Sequence, residues 1–365
     1  MLGLCQALQR AGIEVEVVTT TANGRDSLPA SPPGGELYQG VPVRYAERSF
    51  PRRFFGARVR EPLTDALSRA DLCHVHGVWN VPEWYASHLA RAARVPYVMS
   101  PRGMLQPQAM QIGRWRKAAA LALLDRRNLT RAALLHATSD QEAGALRDLA
   151  FGPPIAVIPN GVDLCEAGTA SVGSRARLGI SADAFVVLFL GRMHRIKRLD
   201  LLAEAFAELR ATHPGAHLVL AGPDEQSLLP ALQRRLSAHA DHLHAIGAVH
   251  GGDKWALIKE ADVMVQCSDS ESFGLAVVES LAGGVPVVAT RTCPWSVLES
   301  RECGFWVEQS APAIAAALRT LSDDPQRRAL MGRRAATFAR EHYSWDAAAH
   351  LMAAEYTRVL AGRPH

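Results

Sequence analysis

Short apolar runs alternate with segments of helical period along the whole chain, and this alternation limits the possible folds more than any other feature. In the second half, the runs have the composition and length of buried strands, and intervening segments such as LDLLAEAFAELRAT have the period of amphipathic helices. Strand and helix alternating in this way predict an α/β fold with a doubly wound parallel sheet. The second-half runs are FVVLFLG (185–191), HLVLAG (217–222), LHAIGAV (243–249), DVMVQCS (262–268) and PVVAT (286–290).

The first half repeats this pattern, which predicts a second Rossmann-like domain. A turn signal lies in IPNGVD (158–163), and the periodicity is lost just after it. We therefore predict an N-terminal domain over residues 1–163, a C-terminal domain over 164–344, and a last helix over 345–365 that packs back on the first domain. Ligands of open α/β sheets bind at the carboxyl ends of the strands, so we expect a cleft between the domains. The first-half runs are VEVVTT (15–20), DLCHVHG (71–77), PYVMSP (96–101), ALLHATS (133–139) and IAVIPN (155–160).

The start of the chain departs from the usual order of such a domain. The stretch MLGLCQALQRAGIEVEVVTT begins inside an amphipathic helix and continues directly into a strand. A doubly wound domain normally opens with a central strand and a Gly-rich turn into that helix. We therefore expect a strand and a Gly-rich turn of this kind to precede Met1.

Charge and cysteine usage exclude several classes of protein. The net charge is only +4 over 365 residues, so the total gives no sign of a nucleic-acid partner. The six cysteines are scattered without a CxxC pair, a pattern typical of reduced thiols in a cytoplasm. The sequence contains neither an apolar span of membrane length nor a secretory signal, and we predict a cytoplasmic protein.

The standard phosphate-binding fingerprints are missing, but two cations follow the first strand of the second half. No GxGxxG follows a strand and no P-loop motif occurs. Instead, Arg192 comes directly after FVVLFLG, and Lys197 follows five residues later. Two cations at the carboxyl end of a strand suit a diphosphate, and a solvent-exposed basic turn is the alternative that the spacing leaves open.

The stretch ESFGLAVVE places Glu271 and Glu279 around a Phe-Gly-Leu, where a strand gives way to a helix. A helix that begins near Phe273 would direct the N–H groups of Gly274 and Leu275 toward an anion, and glycine allows a close approach. Glu279 is then placed to accept hydrogen bonds from paired hydroxyls, as acidic residues do for ribose. The alternative is an acidic residue at a helix start followed by an exposed helical glutamate.

These motifs in this order resemble the retaining glycosyltransferases that use the GT-B fold and an E-x7-E motif, known as glycosyltransferase family 4 or group 1. The resemblance covers nearly the whole chain and implies two Rossmann-like domains that face a cleft. Further motifs resemble the bacterial branch that builds exopolysaccharide or lipopolysaccharide. The family motifs are GR-x4-K (191–197), ESFGLAVVE (271–279) and LAGGVPVVAT (281–290). The motifs that resemble the bacterial branch are HGVW (76–79), SPRGML (100–105), HATS (136–139), GPDE (222–225) and CPWSVLE (293–299).

The resemblance implies a hexosyltransferase that needs neither metal nor cofactor and that uses a UDP- or GDP-linked sugar as donor. By this resemblance, Arg192 and Lys197 hold the diphosphate, Glu271 faces the transferred sugar, and Glu279 binds the ribose. The implied catalytic residues are Arg192, Lys197 and Glu271. One departure is Arg198, because the family usually has glycine after this lysine. Donor contacts are also implied for the backbone of Phe273, Gly274 and Leu275 and, near the base, of Gly247.

The resemblance further implies that the anomeric configuration is retained, by attack on the face that the leaving phosphate vacates. The implied acceptor is a lipid-linked sugar or an oligosaccharide, bound by the N-terminal domain. Related proteins often have a histidine where Arg102 stands, so we expect Arg102 to bind an anion instead of moving a proton. His76 is either an acceptor contact or a histidine satisfied within a turn. The alternatives are an inactive nucleotide-sugar-binding protein, suggested by the missing first strand, and a sugar-nucleotide epimerase of the same fold.

Two further patterns are weak candidates for metal sites. Asp269-Ser270-Glu271 resembles a DxD motif, but it lies in the second domain next to E-x7-E, so we expect no metal there. His239, His242 and His244 have the composition of a zinc site, but a polar helix end that enters a strand explains them better.

Two basic segments interleave arginine with aromatic or apolar residues: FPRRFFGARVR (50–60) and GRWRKAAALALLDRR (113–127). Either segment suits an anionic inner-membrane surface, and a solvated basic loop and helix is the equal alternative. We predict a peripheral, salt-sensitive membrane association.

Overall fold

The computed structural model describes residues 1–23, 26–32, 34–48, 57–111, 113–164 and 173–362. The chain separates into two compact units. The N-terminal unit comprises Met1–Gly161 together with Trp345–His365, and the C-terminal unit comprises Val162–Ser344. The last helix therefore belongs to the N-terminal unit.

The described strands of the N-terminal unit form two main sheets and a short hairpin. Strands β6, β7, β8 and β9 make a parallel sheet in that order, and β1, β5 and β4 make a second sheet in which β1 is parallel and β4 antiparallel to β5. The hairpin pairs β2 with β3. The strands are β1 Val17–Thr20, β2 Ala22–Asn23, β3 Asp26–Ser27, β4 Glu36–Tyr38, β5 Val41–Ala46, β6 Cys73–His76, β7 Tyr97–Ser100, β8 Leu134–Ala137 and β9 Ile155–Val157.

This arrangement corrects the expectation of a single doubly wound sheet in the first half. All five predicted runs contain strands, but β4 and β5 were not predicted. Strand β4 is fully exposed and β5 contains Pro42, so neither has the apolar run of a buried strand. Among the described strands, β1 pairs only with β5 and β6 pairs only with β7.

Eight α-helices of the described residues belong to the N-terminal unit, and the last of them packs against the first. Leu4 and Leu8 of the first helix share a buried cluster with Ala349 and Met352 of the last helix. The helices are α1 Leu2–Arg10, α2 Arg60–Leu67, α3 Val81–Ala92, α4 Pro107–Gln111, α5 Arg114–Ala120, α6 Arg126–Thr130, α7 Asp140–Asp148 and, numbered last in the chain, α16 Trp345–Ala361.

The C-terminal unit contains a six-stranded sheet in which every neighbouring pair is parallel, in the order β12-β11-β10-β13-β14-β15. Side chains of β10 enter two different clusters in alternation: Val186 and Leu188 face one, and Val187 and Phe189 face the other. Helices therefore cover both faces, as a doubly wound sheet requires. The strands are β10 Val186–Leu190, β11 His217–Ala221, β12 Leu243–Gly247, β13 Val263–Gln266, β14 Val287–Thr290 and β15 Gly304–Val307.

The helices of this unit connect the strands in sequence, and the five strands predicted for this half are present. Strand β15 was missed because GFWV is only four residues long and begins with glycine. The predicted polar helix end around His242 is a 3-10 helix, Ser237–His242, that leads into β12. The helices are α8 Ser174–Arg177, α9 Leu199–Arg210, α10 Leu229–Arg235, α11 Gly251–Lys259, α12 Leu275–Ala282, α13 Val297–Ser300, α14 Ala311–Asp323 and α15 Pro325–His342.

Within the described residues, no helix has both the length and the apolar composition that crossing a bilayer requires. The five described cysteines are free thiols, and Cys165 lies outside the described residues. Residues 50–56 of the first basic segment also lie outside them.

Candidate active site

The order of the strands in the C-terminal unit marks one place where a ligand is expected. From β10 the chain moves outward to β11 and β12, then returns to the other side of β10 for β13, β14 and β15. The direction of winding thus reverses between β10 and β13, and ligands of open α/β sheets bind beyond the carboxyl ends of the strands at this point. Arg192 and Lys197 follow β10, and Glu271 follows β13.

The backbone approaches itself very closely where β10 and β11 end. A Cβ added to Gly222 would lie 1.9 Å from the carbonyl oxygen of Gly191, so only glycine fits there. The Gly191 N–H donates to Ala221 O at 2.8 Å, and the Gly222 N–H donates to Gly247 O at 2.7 Å. Gly247, at the end of β12, was predicted to contact the nucleotide-sugar donor. Its carbonyl oxygen already accepts a hydrogen bond from the neighbouring strand end.

The structure brings together two of the three predicted catalytic residues. The ammonium group of Lys197 donates a hydrogen bond to Glu271 Oε2, and both side chains are largely buried, with 19% and 15% of their surface exposed. Gln266 Nε2 donates to the same carboxylate oxygen at 3.2 Å. Lys197 has three N–H donors and the pair with Glu271 uses one, so the ammonium group retains capacity for a phosphate.

Arg198 adopts the backbone conformation for which the family's glycine is suited. Its φ and ψ are 51° and 46°, in the left-handed region, so the turn forms here with arginine in place of glycine. Its guanidinium donates to Asp200 Oδ2 at 3.0 Å and to Asp269 Oδ1 at 3.1 Å. The hydrogen bonds to Asp200 and then Asp269 raise the pKa of Arg198, and Asp269 also accepts from Gln309 Nε2 at 3.1 Å.

These contacts tie together the loops that carry Lys197 and Glu271. Besides the pair of Arg198 with Asp269, the Asp269 N–H donates to Ile196 O at 2.8 Å. The thiol of Cys267 lies 3.3 Å from the carbonyl oxygen of Lys197. The aspartate of the DxD-like motif is thus engaged by protein donors.

The helix after β13 begins two residues later than predicted. Helix α12 starts at Leu275, and Gly274 precedes it with φ +84°. A Cβ at Gly274 would lie 3.2 Å from both Glu271 Cγ and Trp295 Nε1, and the positive φ also favours glycine. In the part of the chain that the structure describes, the N–H groups of Gly274 and Leu275 donate to no protein acceptor.

Phe273 is part of the core and does not face solvent. Its side chain is 5% exposed and packs against Trp295, with ring centroids 5.6 Å apart. The indole N–H of Trp295 donates to Phe273 O at 2.6 Å, which fixes the backbone just before α12. Only the backbone of Phe273 can therefore contact a ligand. Trp295 was not predicted as part of the site, although it belongs to CPWSVLE.

Glu279 pairs with Lys254, which was not predicted as a site residue. Lys254 Nζ on α11 donates to Glu279 Oε1 on α12 at 2.7 Å, and both side chains are about four-fifths buried. Lys254 lies in a segment, DKWALIKEA, that reads as an ordinary amphipathic helix, so no local signal distinguished it.

Arg192 pairs with a carboxylate other than Glu271. Its guanidinium donates to Glu225 Oε2 at 3.0 Å, and 66% of its side chain is exposed. Exposed pairs of this kind contribute little to stability, about 0.2–1 kcal/mol, so Arg192 is easily released to another anion.

The two predicted acceptor residues are in direct contact in the N-terminal unit. Arg102 Nη2 lies 2.9 Å from His76 Nδ1, and Arg102 Nη1 donates to Asn160 Oδ1 at 2.6 Å. Arg102 has φ +57°, an uncommon conformation for a residue with a side chain. His76 ends β6 and Arg102 follows β7, which pair in parallel, so both lie at the carboxyl edge of this sheet.

A buried polar chain supports this edge from below. Tyr356 OH on α16 lies 2.6 Å from His74 Nδ1, and Ser100 Oγ lies 2.6 Å from both His74 Nε2 and His136 Nδ1. The rings of His74 and His76 stack with centroids 4.1 Å apart. Burial lowers the pKa of His136 to about 4, so this network is neutral near pH 7.

Two family models match the chain. The model for glycosyl transferases group 1 matches residues 173–338, and the model for the glycosyl transferase 4-like domain matches residues 1–161. The chain is 32% identical to D-inositol 3-phosphate glycosyltransferase of Kineococcus radiotolerans, over 99% of this chain and 89% of that protein. It is also 32% identical to the protein of that name from Streptomyces scabiei, over 98% and 85% of the two chains.

Solved structures of low identity share the fold. Sucrose-phosphate synthase from Thermosynechococcus elongatus matches with a TM-score of 0.78 and 22% identity, over 99% of this chain and 92% of that one. WaaG, a glycosyltransferase involved in lipopolysaccharide biosynthesis, matches with a TM-score of 0.70 and 16% identity, over 99% and 95%. HepE of Anabaena in complex with UDP and glucose matches with a TM-score of 0.74 and 20% identity, over 98% and 95%. The predicted GT-B fold is confirmed, and the chain belongs to the glycosyl transferases group 1 family.

Proposed function

We propose that this glycosyltransferase moves a hexose, with retention of configuration, from a UDP- or GDP-linked donor bound by the C-terminal unit to an acceptor bound by the N-terminal unit. The observation that carries the donor assignment is the pair of Lys197 and Glu271 at the switch point of the six-stranded sheet. HepE, a structural neighbour, has been solved with UDP and glucose, which supports a nucleotide sugar as donor.

The residues at the switch point supply what departure of a nucleoside diphosphate requires. Negative charge grows on the leaving phosphate, and fixed cations and N–H groups lower the energy of that state. In this proposal Lys197 and Arg192 bind the phosphates, together with the N–H groups of Gly274 and Leu275, which donate to no acceptor among the described residues. Glu271, held by Lys197, faces the sugar.

Protein groups take the place that a metal ion has in other transferases. Asp269 accepts hydrogen bonds from Arg198 and Gln309, so its carboxylate already has cationic and amide partners. We therefore propose that the reaction needs neither metal nor cofactor. The acceptor hydroxyl attacks on the face from which the phosphate leaves, and that phosphate takes the proton.

Two classes of acceptor fit the comparisons. The relatives from Kineococcus and Streptomyces are named for D-inositol 3-phosphate, which supports a small phosphorylated polyol. WaaG acts in lipopolysaccharide biosynthesis, which supports a lipid-linked or oligosaccharide acceptor of a cell-surface polysaccharide. Both classes remain part of the proposal, and the acceptor screen below separates them.

A membrane surface is a further proposed partner, because one helical stretch exposes apolar side chains among arginines. Trp115 and Leu123 are 78% and 81% exposed, and Leu124 is 48% exposed. Arg114 and Arg116 flank Trp115. Aromatic and leucine side chains next to cations suit the headgroup region of an anionic leaflet, and a location on the cytoplasmic side follows from this proposal.

Product analysis tests the proposed function. The chain is incubated with a panel of UDP- and GDP-sugars, with and without D-inositol 3-phosphate or a lipid-linked acceptor, and products are identified by mass spectrometry and NMR. Transfer with retained configuration supports the proposal. Binding without turnover would indicate a nucleotide-sugar-binding protein, and a new nucleotide sugar without acceptor would indicate an epimerase.

A further inference from the structure

Arg102 is a partly buried cation whose described partners are all neutral. It donates to Nδ1 of His76 and to Oδ1 of Asn160, and among the described residues no carboxylate forms an ion pair with it. By contrast, the partly buried Arg175 and Arg198 both pair with aspartates, Arg175 with Asp262 at 2.7 Å. A charge withdrawn from water without an opposite charge is unfavourable, and an anionic ligand would offset that cost.

Glu142 is the carboxylate whose charge acts most on Arg102, but its oxygens already accept hydrogen bonds from other groups. Burial lowers the pKa of Arg102, and the charge of Glu142 partly opposes that shift. Glu142 is buried, and its oxygens accept from the backbone of Gly103 and from Thr138, in the latter case at 2.7 Å. Glu142 therefore stabilises the loop around Arg102 without neutralising the guanidinium directly.

The guanidinium also keeps unused hydrogen-bond capacity. Arginine has five N–H donors, and the contacts with His76 and Asn160 use three of them, from Nε, Nη1 and Nη2. Asn160 accepts through Oδ1, which leaves its amide NH2 group able to donate. Two side chains at this edge thus have donors to offer a ligand.

Arg102 also fixes the protonation of His76. Arg102 Nε and Nη2 both approach His76 Nδ1, at 3.2 Å and 2.9 Å, so Nδ1 must be the acceptor and the ring hydrogen lies on Nε2. Burial, followed by the neighbouring His74 and Arg102, holds the pKa of His76 well below its ordinary value. His76 is therefore a neutral donor through Nε2–H, and in this state it does not act as a base toward a substrate on that side.

We infer that Arg102, His76 and Asn160 form a binding site for a phosphate group at the carboxyl edge of the parallel sheet in the N-terminal unit. The inference deepens the proposed function, on which it rests: the acceptor carries a phosphate or pyrophosphate, and this site holds it. The two sources are a phosphorylated polyol and a lipid-linked pyrophosphate. The left-handed backbone at Arg102 is consistent with this role, because strained conformations concentrate at functional sites.

The direct test is a calorimetric titration of the full chain with inorganic phosphate. The Lys197→Met chain is used as background, so that the proposed donor site does not dominate the signal. Arg102→Gly removes the guanidinium and relieves the left-handed backbone, so it should fold. The matched control is Arg94→Gly, another arginine with positive φ, at 58°, on the exposed surface of the same unit.

We expect Arg102→Gly to weaken phosphate binding about tenfold or more, in line with loss of charge-assisted hydrogen bonds, and Arg94→Gly to leave it unchanged. Equal phosphate affinity in the two variants would overturn the inference. A second readout is the 15N spectrum of His76, in which Nδ1 should be unprotonated near pH 7. A proton on Nδ1 would also contradict the site.

The acceptor screen identifies the source and separates this inference from the proposed function. Arg102→Gly should lower kcat/KM for D-inositol 3-phosphate or for a lipid-linked pyrophosphate acceptor, whichever is used, without changing the affinity for the donor. Efficient transfer to acceptors without phosphate, insensitive to Arg102→Gly, would overturn the inference and leave the proposed function standing. If no nucleotide sugar binds at all, the proposed function fails, and the phosphate titration still reports on Arg102.

Discussion

Lys254 Nζ and Glu279 Oε1 lie 2.7 Å apart, and this hydrogen bond joins the first turn of α11 to the middle of α12. It occupies one oxygen of the glutamate that we assign to the ribose. A diol needs an acceptor of fixed orientation, and the ammonium group of Lys254 provides that orientation while the other oxygen stays available. If Glu279 binds the ribose as proposed, Lys254 is a positioning residue for donor binding.

Replacement of Lys254 by methionine should raise KM for the donor by about three- to tenfold, because Glu279 loses the partner that orients it, and kcat should change less. Initial rates over a range of donor concentrations measure both constants. The matched control is Lys259→Met, at the exposed end of the same helix. A donor KM that is the same in both variants would contradict the role assigned to Lys254.

Arg198→Gly should lower catalytic activity with little change in the stability of the fold. Glycine adopts the left-handed backbone without strain, so we expect the free energy of unfolding to change by no more than about 1 kcal/mol. Loss of the contacts with Asp200 and Asp269 should loosen the loops that carry Lys197 and Glu271, and lower kcat about tenfold or more. Denaturant unfolding and steady-state kinetics are measured together, with Arg94→Gly as control. An unchanged kcat would show that Arg198 has a structural role only.

Asp125 should make stability depend on pH. It is 1% exposed, and burial raises its pKa from 3.8 to about 6, while the N–H of Trp79 donates to it at 3.2 Å. Between these values the native state binds more protons than the unfolded state, so the free energy of unfolding decreases as pH rises from about 4 to about 6. Below about pH 4 Asp125 is protonated in both states and does not affect stability, and above about pH 6 its destabilising effect is fully present.

Asp125→Asn removes this ionisation, so its stability relative to the wild type should improve by up to about 3 kcal/mol between about pH 4 and pH 7. Urea unfolding at several pH values measures the difference, and Asp148→Asn, at an exposed position of α7, is the control. If the free energies of unfolding of Asp125→Asn and wild type differ by the same amount at all pH values, Asp125 does not have a raised pKa in the native state.

The double variant Trp115→Ser, Leu123→Ser should reduce binding to vesicles of anionic lipid, because these two side chains are the most exposed apolar groups of the basic stretch. Flotation at low and high salt, with anionic and with zwitterionic vesicles, measures the effect. Leu37→Ser, at a 72% exposed position on β4, is the control. Wild-type protein without preference for anionic lipid at low salt would contradict the membrane proposal.

Much of the C-terminal unit was predictable because its strands are buried on both faces and therefore read as continuous apolar runs. In the N-terminal unit, β4 was not predicted because its residues are exposed, and β5 was not predicted because Pro42 interrupts it. Of the site, the sequence indicated the residues that follow strands, since strand ends converge at one edge of a sheet. Partners that come from elsewhere in the chain, such as Lys254 and Trp295, carry no local signature.

The helix start at Leu275 also shows the limit of spacing arguments. The pattern located the strand-to-helix change near Phe273, but the burial of Phe273 and the hydrogen bond from Trp295 to its carbonyl delay the helix by two residues. Arg198 shows the reverse case. From the sequence alone, Arg198 was only a departure from the family pattern, and its contacts with Asp200 and Asp269 give the physical reason for an arginine at this position.

The measurement that most directly tests the central claim is sugar transfer by Lys197→Met and Glu271→Gln, beside the control Arg195→Met, an exposed cation in the same 3-10 helix as Lys197. Transfer from the nucleotide sugar is followed by NMR, and circular dichroism confirms that each variant is folded. We predict that the first two variants lose transfer at least about a hundredfold, because each removes charge stabilisation or sugar contact in the transition state, while Arg195→Met keeps it. Normal transfer by both Lys197→Met and Glu271→Gln would contradict the assignment of this site.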